Sequence, residues 1–117
     1  MPYESLLRSL VGSVEGALGA LLMDASGEVV VEAGNGEERH RLIAAYQGIA
    51  LVRLKTTEES CETGKVQHVC CRYATGQVIL RPLKDGYYLV LSLSSAAIVG
   101  EGLHRSAETQ RRMNAEL

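Results

Sequence analysis

The chain predicts an α+β fold, a five-stranded antiparallel sheet with helices on both of its faces. Three features predict it. Hydropathy reads as the order α-β-β-α-β-β-β-α, the strands are joined by short turns, and the last strand, in Lys84–Ser95 (KDGYYLVLSLSS), is apolar on both faces. Strands joined by short turns run antiparallel, and the three helices must cover the sheet they form. A strand without a polar face belongs in the middle of that sheet, between two layers.

Each element has its own signal. Tyr3, Leu6, Leu7, Leu10, Val11 and Val14 stand at helical spacing over Tyr3–Val14, and Gly12 and Gly16 end that helix near Gly16. Two apolar runs, Ala17–Met23 and Val29–Ala33, flank Asp24-Ala25-Ser26-Gly27, a hairpin turn in which Gly27 is free to take a positive φ. Gly34-Asn35-Gly36 breaks the chain. Glu37–Lys55 is the longest helical stretch, with Glu37 and Glu38 at the positive end of its dipole and Lys55 at the other. Gly48 in its middle costs about 1 kcal/mol relative to Ala, which calls for a close-packing reason. After the loop TTEESCETG come two strand stretches, Lys65–Tyr73 and Gln77–Leu83, joined by Ala74-Thr75-Gly76. Pro82 has no N–H to give a ladder, so the second should end or bulge there. Lys84-Asp85-Gly86 turns into the last strand, where Tyr87, Leu89, Leu91 and Leu93 face one layer and Tyr88 and Val90 the other. From Ser95 onward Ala96, Val99, Leu103, Ala107, Met113 and Leu117 form a helical stripe.

Composition bounds what such a fold can do. The 117 residues make one domain, 1–117, able to bury about two-thirds of the surface its unfolded chain exposes. With 46% apolar and 22% charged residues the chain is globular, and with no Phe or Trp its core is built from Leu, Val, Ile, Ala and Tyr. The net charge is −2, and neither a basic stripe nor basic-aromatic interleaving is present, which argues against nucleic acid as a partner. The N-terminus has no basic and apolar leader pattern, and no apolar run approaches the roughly 18 residues of a membrane span. A cytoplasmic protein with no direct membrane insertion is expected. Three cysteines suit a reducing compartment. Cys70 and Cys71 are neighbours in a strand, so they point to opposite faces and are expected as free thiols.

Sites of chemistry are sparse. His68 and Cys70 share a strand face while Cys71 faces away, and no second ligand pair stands at metal spacing, so no metal is expected. His40, His68 and His104 are the only histidines, and no nucleophile elbow, phosphate loop or dinucleotide fingerprint occurs. Glu37-Glu38 and Glu58-Glu59 read as solvated turns. Neither catalytic residues nor a cofactor are expected, and the protein is not read as an enzyme.

The long helix carries the sharper signal. On a wheel Leu42, Tyr46, Ile49 and Arg53 cluster, Ile43, Ala50 and Leu54 lie beside them, Ala44 and Leu51 point to the far side, and Ala45 and Val52 fall between. A helix that is apolar nearly all round is buried nearly all round, yet an outer helix of one small sandwich has only one face to hide. The second face should meet another chain, most simply the same helix across a two-fold axis. The edge strand Lys65–Tyr73 can add pairing across that axis.

The element order, the GALGALLMDASGEVV hairpin, the LIAAY start of the second helix and KDGYYLVLSLSS before the last helix resemble the Roadblock / dynein light chain family. The resemblance runs from about Ser5 to about Ala107 and points to the prokaryotic, gliding-protein (MglB-like) branch. It implies a homodimer or heterodimer joined through the second helix and the strand after it, and a homodimer is the form expected here. It also implies a regulator or adaptor that binds a small Ras-like GTPase and modulates its nucleotide cycle. The alternative it leaves is a scaffold subunit of a dynein-like or polar-localisation complex, with no effect on hydrolysis. The dimer contact is then expected at Leu42, Ile43, Tyr46, Ile49, Ala50, Leu54, Val69 and Cys71. The GTPase surface is expected at Arg39, Arg41, Gln47 and Arg53.

Overall fold

The computed structural model describes residues 2–34, 38–61 and 64–117. The elements are α1 (Pro2–Ser13), β1 (Ala17–Met23), β2 (Val29–Gly34), α2 (Glu38–Cys61), β3 (Val69–Tyr73), β4 (Gly76–Pro82), β5 (Tyr88–Ser94) and α3 (Val99–Glu116). The sheet is antiparallel throughout, in the order β2-β1-β5-β4-β3. β5 is therefore the central strand, which its unbroken apolar run requires. Leu89, Leu91 and Leu93 enter the core beneath α1 and α3, with Leu7, Leu10, Leu22, Ile79 and Met113. Tyr88 and Val90 enter the core beneath α2, with Leu21, Met23, Leu51 and Leu80.

The turns follow their local chemistry. Asp24 accepts from the Ser26 and Glu28 N–H groups at 2.9 and 3.0 Å, and Gly27 completes the turn at φ +88°. These bonds, with the Ser26 hydroxyl first among them, hold the Asp24 carboxyl below its usual range. Asp85, at φ 58°, turns the chain between β4 and β5 within the short helical turn Lys84–Gly86. β4 ends at Pro82, where the missing N–H leaves no ladder bond to give.

Four boundaries differ from the sequence expectation, beginning with α1, which ends at Ser13 rather than near Gly16. α2 continues through the expected loop to Cys61, because no glycine or proline interrupts it before Gly64, at φ +87°. β3 begins at Val69 rather than Lys65. The register Val69↔Leu80 would set Gln67 opposite Pro82, which cannot donate. Side chains take up the freed backbone instead: the Glu58 carboxylate accepts the Val66 N–H, and Arg81 Nη1 donates to the Gln67 carbonyl at 3.3 Å. α3 begins at Val99 rather than near Ser95, because Gln77 Nε2 holds a turn there through the Ser94 and Ala97 carbonyls at 3.1 and 2.9 Å.

α3 is fastened to β4 by a buried cation. Arg81 donates to Ser106 Oγ (2.8 Å), the Leu103 carbonyl (2.7 Å) and Gln110 Oε1 (3.2 Å) as well as to Gln67. It is only 6% exposed, and burial pushes its guanidinium pKa down. Every acceptor it uses is neutral, so the hydrogen bonds carry the whole compensation.

Candidate functional site

α2 meets the sheet along a narrow line. Ala44, Gly48 and Leu51 recur at helical spacing and are buried on it. Gly48 has the close-packing reason its position calls for: a Cβ there would overlap the Tyr88 hydroxyl oxygen and stand 2.6 Å from Cζ. The Tyr88 hydroxyl lies under the helix and donates to the Ala44 carbonyl at 3.4 Å. Burial, and then the charge of Asp24, raises its pKa.

Much of the remaining described surface of the helix is apolar and open to water. Tyr46 is 66% exposed, Val52 60%, Ile49 55% and Leu54 40%, and Ala50 lies among them. Together they make a continuous surface rather than scattered single residues, the kind of patch that marks a contact. Ala50 and Leu54 share a helix side with Gln47 (three and seven residues on). That side faces β3, since Gln47 Nε2 donates to the Tyr73 hydroxyl and Gln47 Oε1 accepts from Cys71 Sγ at 3.4 Å. β3 is the last strand of the sheet, so among the described residues its outer edge pairs with nothing. An apolar helix face and an open strand edge therefore adjoin.

The expected interface residues divide accordingly. Tyr46, Ile49, Ala50 and Leu54 lie on the open surface. Ile43 and Val69 turn inward and pack against the core beneath α2, while Cys71 sits half-buried under Gln47. The side chain of Leu42 lies outside the described residues. Of the polar set, Arg53 is exposed, Gln47 is tied into β3, and the side chains of Arg39 and Arg41 lie outside the described residues. Sequence reasoning passed over Val52, which the wheel set between two faces and which the structure turns outward. Only the tilt of the helix on the sheet reveals it.

The described residues include no group of three or more His, Cys, Asp or Glu able to hold a metal ion. Cys70 and Cys71 are free thiols, and partial shielding from water raises the pKa of Cys70 despite the Arg81 guanidinium nearby. No described helix is long and apolar enough to cross a membrane.

A five-stranded antiparallel sheet with helices on both faces is the architecture this chain shares with Roadblock/LC7 domain structures. A Roadblock/LC7 domain from Streptomyces avermitilis superposes with a TM-score of 0.81 at 17% identity, over 97% of this chain and 95% of that one. MglB of Myxococcus xanthus superposes at 0.85 with 11% identity, over 98% and 94%. The chain has a Roadblock-like fold. Within that class it is similar to MglC of Myxococcus xanthus, at 29% identity and a TM-score of 0.72 over the full length of both chains. No family model matches the sequence, and no curated protein does.

Proposed function

We propose that the protein is a homodimeric adaptor that binds a small Ras-like GTPase and modulates its nucleotide cycle. One observation carries the reading: the exposed apolar surface of α2, from Tyr46 to Leu54, adjoins the free edge of β3. A two-fold axis at that edge joins two sheets into one and sets the two α2 helices side by side on the same face. Tyr46, Ile49, Ala50 and Leu54 then leave water together. Ile43, Val69 and Cys71 support the contact from below, with Leu42 at the start of the helix. Arg53, exposed on α2, offers a cation to a partner that carries phosphate, and Arg39, Arg41 and Gln47 are the further candidates for the same docking surface. Their role is docking or charge stabilisation on the GTPase, and the reacting groups belong to that partner.

Light scattering at micromolar concentration under reducing conditions tests the dimer, and a monomer there overturns it. GTP turnover by a small Ras-like GTPase, measured with and without the protein, tests the rest. A changed rate that Arg53→Ala returns toward the unassisted value supports regulation. Binding without any change in turnover supports the scaffold alternative.

A further inference from the structure

From the register of β3 we infer that the two-fold axis of the dimer passes through Cys71, so that Cys71 of each copy is a site of inter-chain disulfide formation. This rests on the proposed dimer and adds to it a register and a chemistry.

The backbone restricts the choice. Tyr73 and Gly76 flank the two-residue turn Ala74-Thr75 and are the last pair of the β3–β4 hairpin. Residues flanking such a turn exchange both backbone hydrogen bonds, and the pattern alternates from there. Tyr73, Cys71 and Val69 thus turn their N–H and C=O groups toward β4. The N–H and C=O of Cys70 and of Arg72 point out of the sheet, and these four groups form the free edge.

An antiparallel partner must set outward-pointing residues opposite outward-pointing ones. Two copies of one strand can therefore pair only with a residue opposite its own twin, which within β3 means Cys70, Cys71 or Arg72. Arg72 on the axis sets two like charges directly opposite, which is destabilising. Cys70 on the axis pairs only Val69, Cys70 and Cys71 within the strand and carries the rest beyond its end at Val69. Cys71 on the axis pairs all five residues of β3. It sets each Cys70 against the other copy's Arg72, so every outward N–H and C=O finds a partner. It also places Val69 opposite Tyr73, a favourable β-branched and aromatic pair.

In that register Cys71 occupies a non-hydrogen-bonded position, where facing Cα atoms stand about 4.5 Å apart. A disulfide needs a Cα separation of about 4.4–6.8 Å. Both Cys71 side chains lie on the α2 face, each beneath its own Gln47. The chemistry is thiol–disulfide exchange with a low-molecular-weight disulfide, RSSR. One Cys71 thiolate attacks RSSR, forming a mixed disulfide and expelling RS⁻. The second Cys71 thiolate attacks that mixed disulfide, forming the inter-chain S–S bond and expelling the second RS⁻. Both RS⁻ leave as RSH with the two cysteine protons, so two protein thiols are oxidised and one RSSR is reduced.

The test uses the full chain with oxidised glutathione, quenched with a thiol-alkylating reagent before denaturation and run on a non-reducing gel. Wild type, Cys70→Ser and Cys61→Ser are expected to move to the covalent dimer, whereas Cys71→Ser and Cys71→Ala stay monomeric on the gel. The covalent dimer should also persist on dilution to concentrations where the reduced one dissociates. A link lost with Cys70→Ser or Cys61→Ser instead overturns the inference, as does the absence of any link in a chain that scatters as a dimer when reduced. A reduced chain that scatters as a monomer overturns the underlying dimer as well, so the two failures are distinguishable.

Discussion

Gly48→Ala sets two effects of opposite sign against each other. Alanine favours an exposed helix interior by about 1 kcal/mol over glycine. At Gly48, however, the new Cβ overlaps the Tyr88 hydroxyl and lies 2.6 Å from its Cζ. Below 3.0 Å something must move, and the obstacle is a ring in the buried centre of β5 rather than a loose chain end. Overpacking of this kind costs about 1–3 kcal/mol. Pushing Tyr88 away from the Ala44 carbonyl leaves a buried hydroxyl without its partner, at about 1–3 kcal/mol more. The net expectation is a loss of about 1–5 kcal/mol, or a Tm lower by about 4–20 °C for a domain of this size. Thermal and urea unfolding followed by circular dichroism read it directly. Tyr88→Phe removes the atom with the worst overlap, so adding it to Gly48→Ala should recover part of the loss, with a coupling of about 1 kcal/mol. A Tm that rises in Gly48→Ala refutes the reasoning, since helix propensity alone would then govern the site.

Other perturbations probe separate parts of the molecule. Ala50→Glu introduces a charge that one chain can solvate and a dimer cannot. The monomer should keep its Tm, while dissociation becomes about a hundredfold easier or more, by sedimentation or light scattering. Ile49→Asp is expected to act in the same direction. Arg81→Met removes the donors that bind α3 and the segment before β3, and should cost about 2–3 kcal/mol in urea unfolding. Unchanged stability there would mean that those bonds only offset the desolvation of the guanidinium. Asp24 has a folded pKa below its ordinary 3.8, so the charged carboxylate stabilises the fold above that value. The advantage of wild type over Asp24→Asn should therefore hold at neutral pH and fade as pH falls below 3.8 through the folded value. An advantage that grows on acidification would contradict it.

Much of this protein is local in origin. The hairpin turn at Asp24–Gly27, the central place of β5 and the division of its side chains between two layers follow from turn chemistry and a period of two, which neighbouring residues set between themselves. Gly48 raised a question that only a distant residue could answer, because Tyr88 lies forty positions away and reaches the helix through the fold. The start of β3 was likewise invisible locally. It depends on Pro82 standing across the ladder from Gln67, and on Glu58 and Arg81 taking up the freed backbone groups.

The same divide runs through the candidate site. Composition alone established that the second helix carries more apolar surface than one sandwich can hide, since that is a property of its residues and their spacing. Which residues are left over is a matter of tilt and placement. The sheet claims Ile43 and Val69, β3 claims Gln47, and Tyr46, Ile49, Val52 and Leu54 stay open because Gly48 lets Tyr88 lie close under the opposite side. Helical periodicity fixes angles around an axis but not where that axis rests. Only packing against the sheet decides that, and with it which surface remains for a partner.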